Sequence, residues 1–144
     1  MKSSKFIVAT HIMTILALKE GRKVTSADLA WSINTNPVLV RKLIGHLKKS
    51  GLVVSETGAD GGNKLAKKAF EITLLDIYSA IETKSVFQKP YSKMNKNCGI
   101  ARNILPVLGH HFNKAELALM GELRKTSLKT ISLEIIQSEK LKLR

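Results

Sequence analysis

The stretch Val24–Val54, VTSADLAWSINTNPVLVRKLIGHLKKSGLVV, decides the fold of this chain. Thr25-Ser26-Ala27-Asp28 is a capping box with the shorter acid. The Thr25 hydroxyl can accept a first-turn amide of the helix that follows, and Asp28 sits on the positive end of its dipole. A helix therefore starts at about Ser26 and turns Leu29, Ala30 and Ile33 inward. It stops in Asn34-Thr35-Asn36, residues that tolerate turn geometry and bond their own backbone. Asn36 is then the N-cap, and Pro37 the first residue, of a second helix with the apolar face Val40, Leu43, Ile44 and Leu47. Gly51 ends that helix. Leu52–Glu56 has strand character, and Asn63–Ala66 is its partner. The loop between them, Thr57–Gly62, is too glycine-rich to pack and too long for a tight hairpin. It reads as a wing, which makes the whole stretch a winged helix-turn-helix.

Outward from this core, Phe6, Ala9, Ile12 or Met13, and Leu16 recur at helical spacing, so a first helix over about 4–19 packs on it and ends near Gly21. Its basic start superficially resembles a secretory signal, but Thr10, His11 and Thr14 interrupt the apolar run and no small-residue cleavage site follows. No run approaches the roughly 20 apolar residues that span a bilayer, and no membrane partner is expected. A single cysteine excludes a disulfide within the chain, so a cytoplasmic location is expected. Thr73 and Asp76 repeat the capping logic and start a helix that runs to about Glu82. Residues 84–97, KSVFQKPYSKMNKN, read as an exposed basic connection.

From Ile100 the pattern is helical again. Leu108, Phe112, Ala115, Leu119 and Leu123 follow one another at steps of four, three, four and four, a narrow seam suited to pairing with another chain. Pro106 is expected to kink this helix or mark its first turn, and Asn113 with Glu116 offers an alternative break. A last helix, about Ser127–Gln137, precedes a basic tail. The expected class is mainly α with a small two-stranded β wing. Residues 1–83 form the winged helix-turn-helix domain, 84–99 the connection and 100–144 a helical dimerisation region, with no internal repeat.

The net charge of +13 points to a polyanionic partner, foremost double-stranded DNA. Hydrophobic residues make up 44% of the chain but aromatics only 5%, so the core must be mostly Leu, Ile, Val and Ala. No paired carboxylates or nucleophile–base pair suggests an enzyme, and the glycines at 58–62 lie between strands rather than before a helix, so they are no P-loop. His110 and His111 point to different sides of a helix, His11 packs, and His46 is partly exposed, so no metal site and no cofactor are expected. Trp31, out of phase with Leu29, Ala30 and Ile33, reads as a partly exposed packing residue. Tyr78, Met94 and Met120 read as core or interface filling. Cys98 precedes a helix, which makes it the one redox candidate; its plainer reading is a half-buried small apolar residue.

Several segments together resemble one family. Asn34-Thr35-Asn36-Pro37-Val38 with Arg41-Lys42-Leu43, Leu47-Lys48-Lys49-Ser50-Gly51, Gly61-Gly62 with Leu65-Ala66, Ile72–Ile77, and the segment from Cys98 to Ile104 are similar, in this order, to the Rrf-two family of bacterial winged-helix transcription factors (the IscR, NsrR and CymR kind). The resemblance implies a homodimer built through the long helix, bound to a palindromic operator and usually repressing. Many members hold an iron–sulfur cluster with three cysteines spaced six apart. Here Ser92 and Ile104 flank Cys98 at that spacing, so the chain resembles the cluster-free branch, whose effector the sequence does not name. The family's wing usually opens on arginine and ends on an aromatic. Thr57, Asp60 and Asn63 depart from that pattern, which weakens minor-groove readout by the wing.

Recognition-helix geometry then assigns roles. Thr35, Asn36, Val38 and Arg41 are the base-proximal candidates, with Arg41 suited to guanine and Val38 to a thymine methyl, and Pro37 belongs to the same DNA-binding set. Ser26, Lys42, Lys48, Lys64 and the wing amides of Gly61 and Gly62 are the phosphate candidates. An interaction adaptor that uses the same face on protein is the alternative.

Overall fold

The computed structural model describes residues 4–90 and 92–142. The first helix, α1, is Ser4–Leu18; Ala9, Ile12, Met13 and Leu16 are buried along one side of it, and Gly21 turns the chain with φ 83°. The helix-turn-helix follows as α2, Ser26–Ile33, and α3, Pro37–Lys49. Thr25 and Asp28 form the expected reciprocal capping box, the Asp28 amide donating to Thr25 Oγ1 at 3.1 Å. Asn34 ends α2 in the left-handed region at φ 56°, a position asparagine tolerates better than most residues. Asn36 caps α3 by accepting from the Val38 amide at 2.8 Å, with Pro37 in the first turn.

The strands are β1, Val53–Glu56, and β2, Gly62–Leu65, antiparallel with Ser55 opposite Asn63. Each is set one residue off its expected start, and a bridge from Val24 to Asn63 adds a third strand contact. A short 3-10 turn at Ala69–Glu71 leads to α4, Leu74–Ile81, capped by Thr73 and Asp76. After the connection come α5, Gly99–Arg124, and α6, Leu128–Lys142. The core is one cluster of aliphatic residues from α1 to α4, the wing and Leu128.

Two expectations change here. The long helix continues through both Pro106 and Asn113 instead of starting or breaking at either, so it gives up the bond that a Pro106 N–H would have made to the Arg102 carbonyl. The last helix packs on the first. α6 returns to α1, Leu128 is fully buried, its amide donates to the Ile72 carbonyl at 2.7 Å, and the Leu74 amide donates to the Thr126 carbonyl at 2.9 Å. Trp31 does not pack: it is 85% exposed on the outer face of α2.

Candidate nucleic-acid interface

α3 is amphipathic by burial. Val40, Leu43, Ile44 and Leu47 are sealed in the core, so Val38, Arg41, Lys42, Lys48 and Lys49 must face out. Val38 is 61% exposed, an apolar side chain offered to solvent at the N-terminal end of the helix. Asn36 commits its carbonyl oxygen to the cap, leaving its amide nitrogen to donate elsewhere. Thr35 is half-buried, its amide donating to the Ala30 carbonyl at 3.1 Å, and so belongs to the turn as much as to the surface.

Between α3 and the wing runs a groove of about 490 Å³. Ser26, Arg41 and Lys48 line one wall, Gly61 and Gly62 the other. Five of the expected site residues thus meet in one feature. Asn36, Pro37, Val38 and Lys42 lie outside the groove on the exposed surface of α3, and Lys64 is exposed on β2. The Val24–Asn63 bridge accounts for the presence of Ser26: it ties the segment before α2 to β2, which brings the start of α2 beside the wing.

The groove keeps a positive field although Glu56 lies in it. Lys23 bonds the Glu56 carboxylate and holds it below its ordinary value, first through that hydrogen bond and then through charge. The anion is therefore neutralised in place, while Arg41 and Lys48 form no ion pair among the described residues. The wing itself is a tight turn. Gly58 has φ 102°, and the Gly61 amide donates to the Gly58 carbonyl at 3.0 Å.

The sequence reading missed how the wing is held. Asn63, 6% exposed, donates from Nδ2 to the Val24 carbonyl at 3.0 Å and accepts from Ser55 Oγ at 2.6 Å. A polar residue at the inward-facing register of a strand was the signal that could have exposed it. The departure at this position, read from sequence as a lost aromatic, is the wing's internal anchor.

On α5 the expected seam is largely covered by its own chain. Phe112 stacks on Phe87 of the connection with centroids 4.1 Å apart, and Leu108, Leu119 and Leu123 are half-buried; only Ala115 is exposed. The connection folds back along this side, which the spacing of α5 alone did not reveal. A more exposed apolar stripe lies on the neighbouring face, on Ile100, Val107 and Ala118 with half-buried Ile104 between them; Ile100 is 77% and Val107 55% exposed. Cys98 is exposed at the N-cap of α5, not half-buried.

Comparison with known proteins gives a consistent set of likenesses. The family model Rrf2, described as an iron-dependent transcriptional regulator, matches residues 2–133. YwnA of Bacillus subtilis (strain 168), one of the proteins named as HTH-type transcriptional regulators, is 33% identical over 131 residues, covering 91% of this chain and 96% of YwnA. The crystal structure of oxidized Staphylococcus aureus CymR is 28% identical with a TM-score of 0.68, over 92% of this chain and 96% of that one. T. potens IscR, at 22% identity and a TM-score of 0.70, covers 94% of this chain and 88% of its own, and shows the shared fold. The residues here do not fit the cysteine-held iron that the family description brings to mind. Cys98 is the lone cysteine, and no group of three His, Cys, Asp or Glu among the described residues is placed to hold a metal ion.

Proposed function

The chain belongs to the Rrf2 family of DNA-binding transcriptional regulators, a non-enzymatic family, and from that premise we propose that it represses by binding a palindromic operator as a homodimer. The observation that carries this reading is the groove between α3 and the wing, where Ser26, Arg41, Lys48 and the amides of Gly61 and Gly62 converge beside an exposed helix N-terminus. In this reading Asn36, Val38 and Arg41 meet base edges in the major groove, and Thr35 and Pro37 fix the turn that presents them. Ser26, Lys42, Lys48, Lys64 and the wing amides hold phosphates. The wing, lacking an arginine, positions the duplex more than it reads it.

The dimer forms in this reading through α5, where Ile100, Ile104 and Val107 step by four and three and Ala118 lies on the same face. Two heads carried on one such helix pair would meet two half-sites of a palindrome. No helix among the described residues is long and apolar enough to cross a membrane. A cytoplasmic protein without a membrane partner is the setting proposed for it.

The test is fluorescence anisotropy on an operator selected from genomic DNA and on a random duplex, across a salt series. Affinity should fall steeply with salt on both, since each neutralised phosphate releases about one counterion. The operator should bind about a thousandfold or more tightly than the random duplex at physiological salt. Equal affinity for the two duplexes overturns operator recognition.

A further inference from the structure

Ser85–Lys89, the first part of the connection, lies back along α5 and is fastened at one place. The Glu116 carboxylate accepts from the Val86 amide at 3.0 Å and from the Ser85 hydroxyl, and Phe87 stacks on Phe112 with planes 10° apart. On the N-terminal side of this fastening the strap stands off the helix and leaves a cavity of about 280 Å³. Leu105, Leu108 and the two phenyl rings make apolar walls, and Gln88, Lys89 and Asn113 carry the polar groups of its lining.

Two observations separate this cavity from a packing defect. Gly109 lies in its lining, and a Cβ added there would meet nothing within 4 Å. The open space therefore begins at the helix backbone itself. The second observation is charge. Between Thr83 and Ala115 the chain has six Lys or Arg residues and no Asp or Glu. Lys89 forms no ion pair among the described residues. Glu116, the one carboxylate in the lining, is turned onto the Ser85 hydroxyl and the Val86 amide and forms no ion pair with Lys89.

An aromatic-walled slot with an unneutralised ammonium selects a flat apolar body that ends in an anion. We propose that this slot binds a small aromatic carboxylate, its ring against Leu105, Leu108 and Phe112 and its carboxylate on Lys89. The volume lies at the lower end of ligand sites, which favours a single ring. The site is on the covered side of α5, away from the stripe Ile100–Ile104–Val107, so occupancy does not require an unpaired helix.

Benzoate titrated into the isotopically labelled full chain, without DNA, tests this independently of operator binding. The amides of Ser85–Lys89, Gly109, Phe112 and Asn113 should shift and saturate with a Kd on the order of 1 mM, ordinary for so small a ligand. Benzyl alcohol, which keeps the ring and loses the charge, should bind more weakly, and Lys89→Gln should abolish that difference. Gly109→Leu should fill the slot and abolish saturable shifts from both. Shifts spread over the surface lysines without saturation overturn the site. So does a Gly109→Leu chain that titrates like the parent. Lys89 is an exposed side chain, so Lys89→Gln remains decisive if Gly109→Leu disturbs α5.

Discussion

Asn63 gives the sharpest prediction, because its two hydrogen bonds hold the wing to the rest of the head. Asn63→Ala removes the bond from Nδ2 to the Val24 carbonyl and the bond from Ser55 Oγ to Oδ1, each contributing about 0.5–1.5 kcal/mol net. Neither partner is fully orphaned. The Val24 carbonyl still accepts the Asn63 backbone amide at 2.8 Å, and the half-buried Ser55 hydroxyl can turn to water. The expected loss is therefore about 2 kcal/mol, or about 6–8 °C in Tm for a chain of this size. Asn63→Asp asks a sharper question, since it sets a carboxylate oxygen against the Val24 carbonyl oxygen. Burial beside that carbonyl raises the folded carboxyl above its unfolded value near 4. A raised carboxyl stabilises the fold while it is protonated, so that contribution is complete at acid pH and lost as pH rises through the folded value. Asn63→Asp should accordingly match or exceed Asn63→Ala near pH 4 and fall below it at pH 7. Urea melts followed by circular dichroism at the two pH values measure both effects. An alanine variant that loses under about 0.5 kcal/mol, the range of an ordinary surface change, would refute the anchor. An aspartate variant whose deficit does not grow with pH would refute the geometry assigned to Nδ2.

Four further outcomes are expected. Gly61→Ala should cost about 2–3 kcal/mol and weaken DNA binding, because its Cβ would lie 2.8 Å from the Thr57 carbonyl carbon, 2.9 Å from the Gly58 oxygen and closer still to the Glu56 oxygen; melts and anisotropy on the same preparation check it. Arg41→Ala should cost about 1–3 kcal/mol on the operator and relax one base pair, and equal losses on operator and random DNA would reassign it to phosphate. Val107→Lys should give a monomer by sedimentation at micromolar concentration with its circular dichroism unchanged, since Val107 is 55% exposed in the chain. The Thr25 hydroxyl and backbone amide hold Asp28 below its ordinary value, so its contribution is present above about pH 4 and lost as pH falls through the folded value. Asp28→Asn should remove that part of the acid-side slope in a stability–pH profile.

The head was legible because its signals are local. Thr25 with Asp28, Asn36 with Pro37, and Thr73 with Asp76 each fix a helix start within four residues, and the structure uses all three. The wing's hold was not legible, since it depends on Val24 and Asn63, 39 positions apart. The long helix was read correctly as a helix, but its faces were assigned from its own spacing. That spacing cannot tell whether an apolar row meets a second chain or the chain's own strap, and here the strap meets Phe112 through Phe87 and Glu116 through the Val86 amide. Of the candidate site, the residues on α3 were placed by helix phase alone, whereas the convergence of Ser26, Arg41, Lys48, Gly61 and Gly62 on one groove needed the fold.

The return of α6 has a consequence for the order in which the protein becomes competent. Leu128 occupies the core that the first helices build, with Ile72 and Leu74 bonded to its neighbourhood, so the head is unfinished when α4 has been made. Synthesis must proceed from Ile81 to Leu128 before the last core position is filled, about 2–10 s at a ribosomal rate of about 5–20 residues per second. During that interval a nascent head lacks a core side chain. Closure of the core is thus delayed until the start of α6, and the whole of α5 is made before the head is complete.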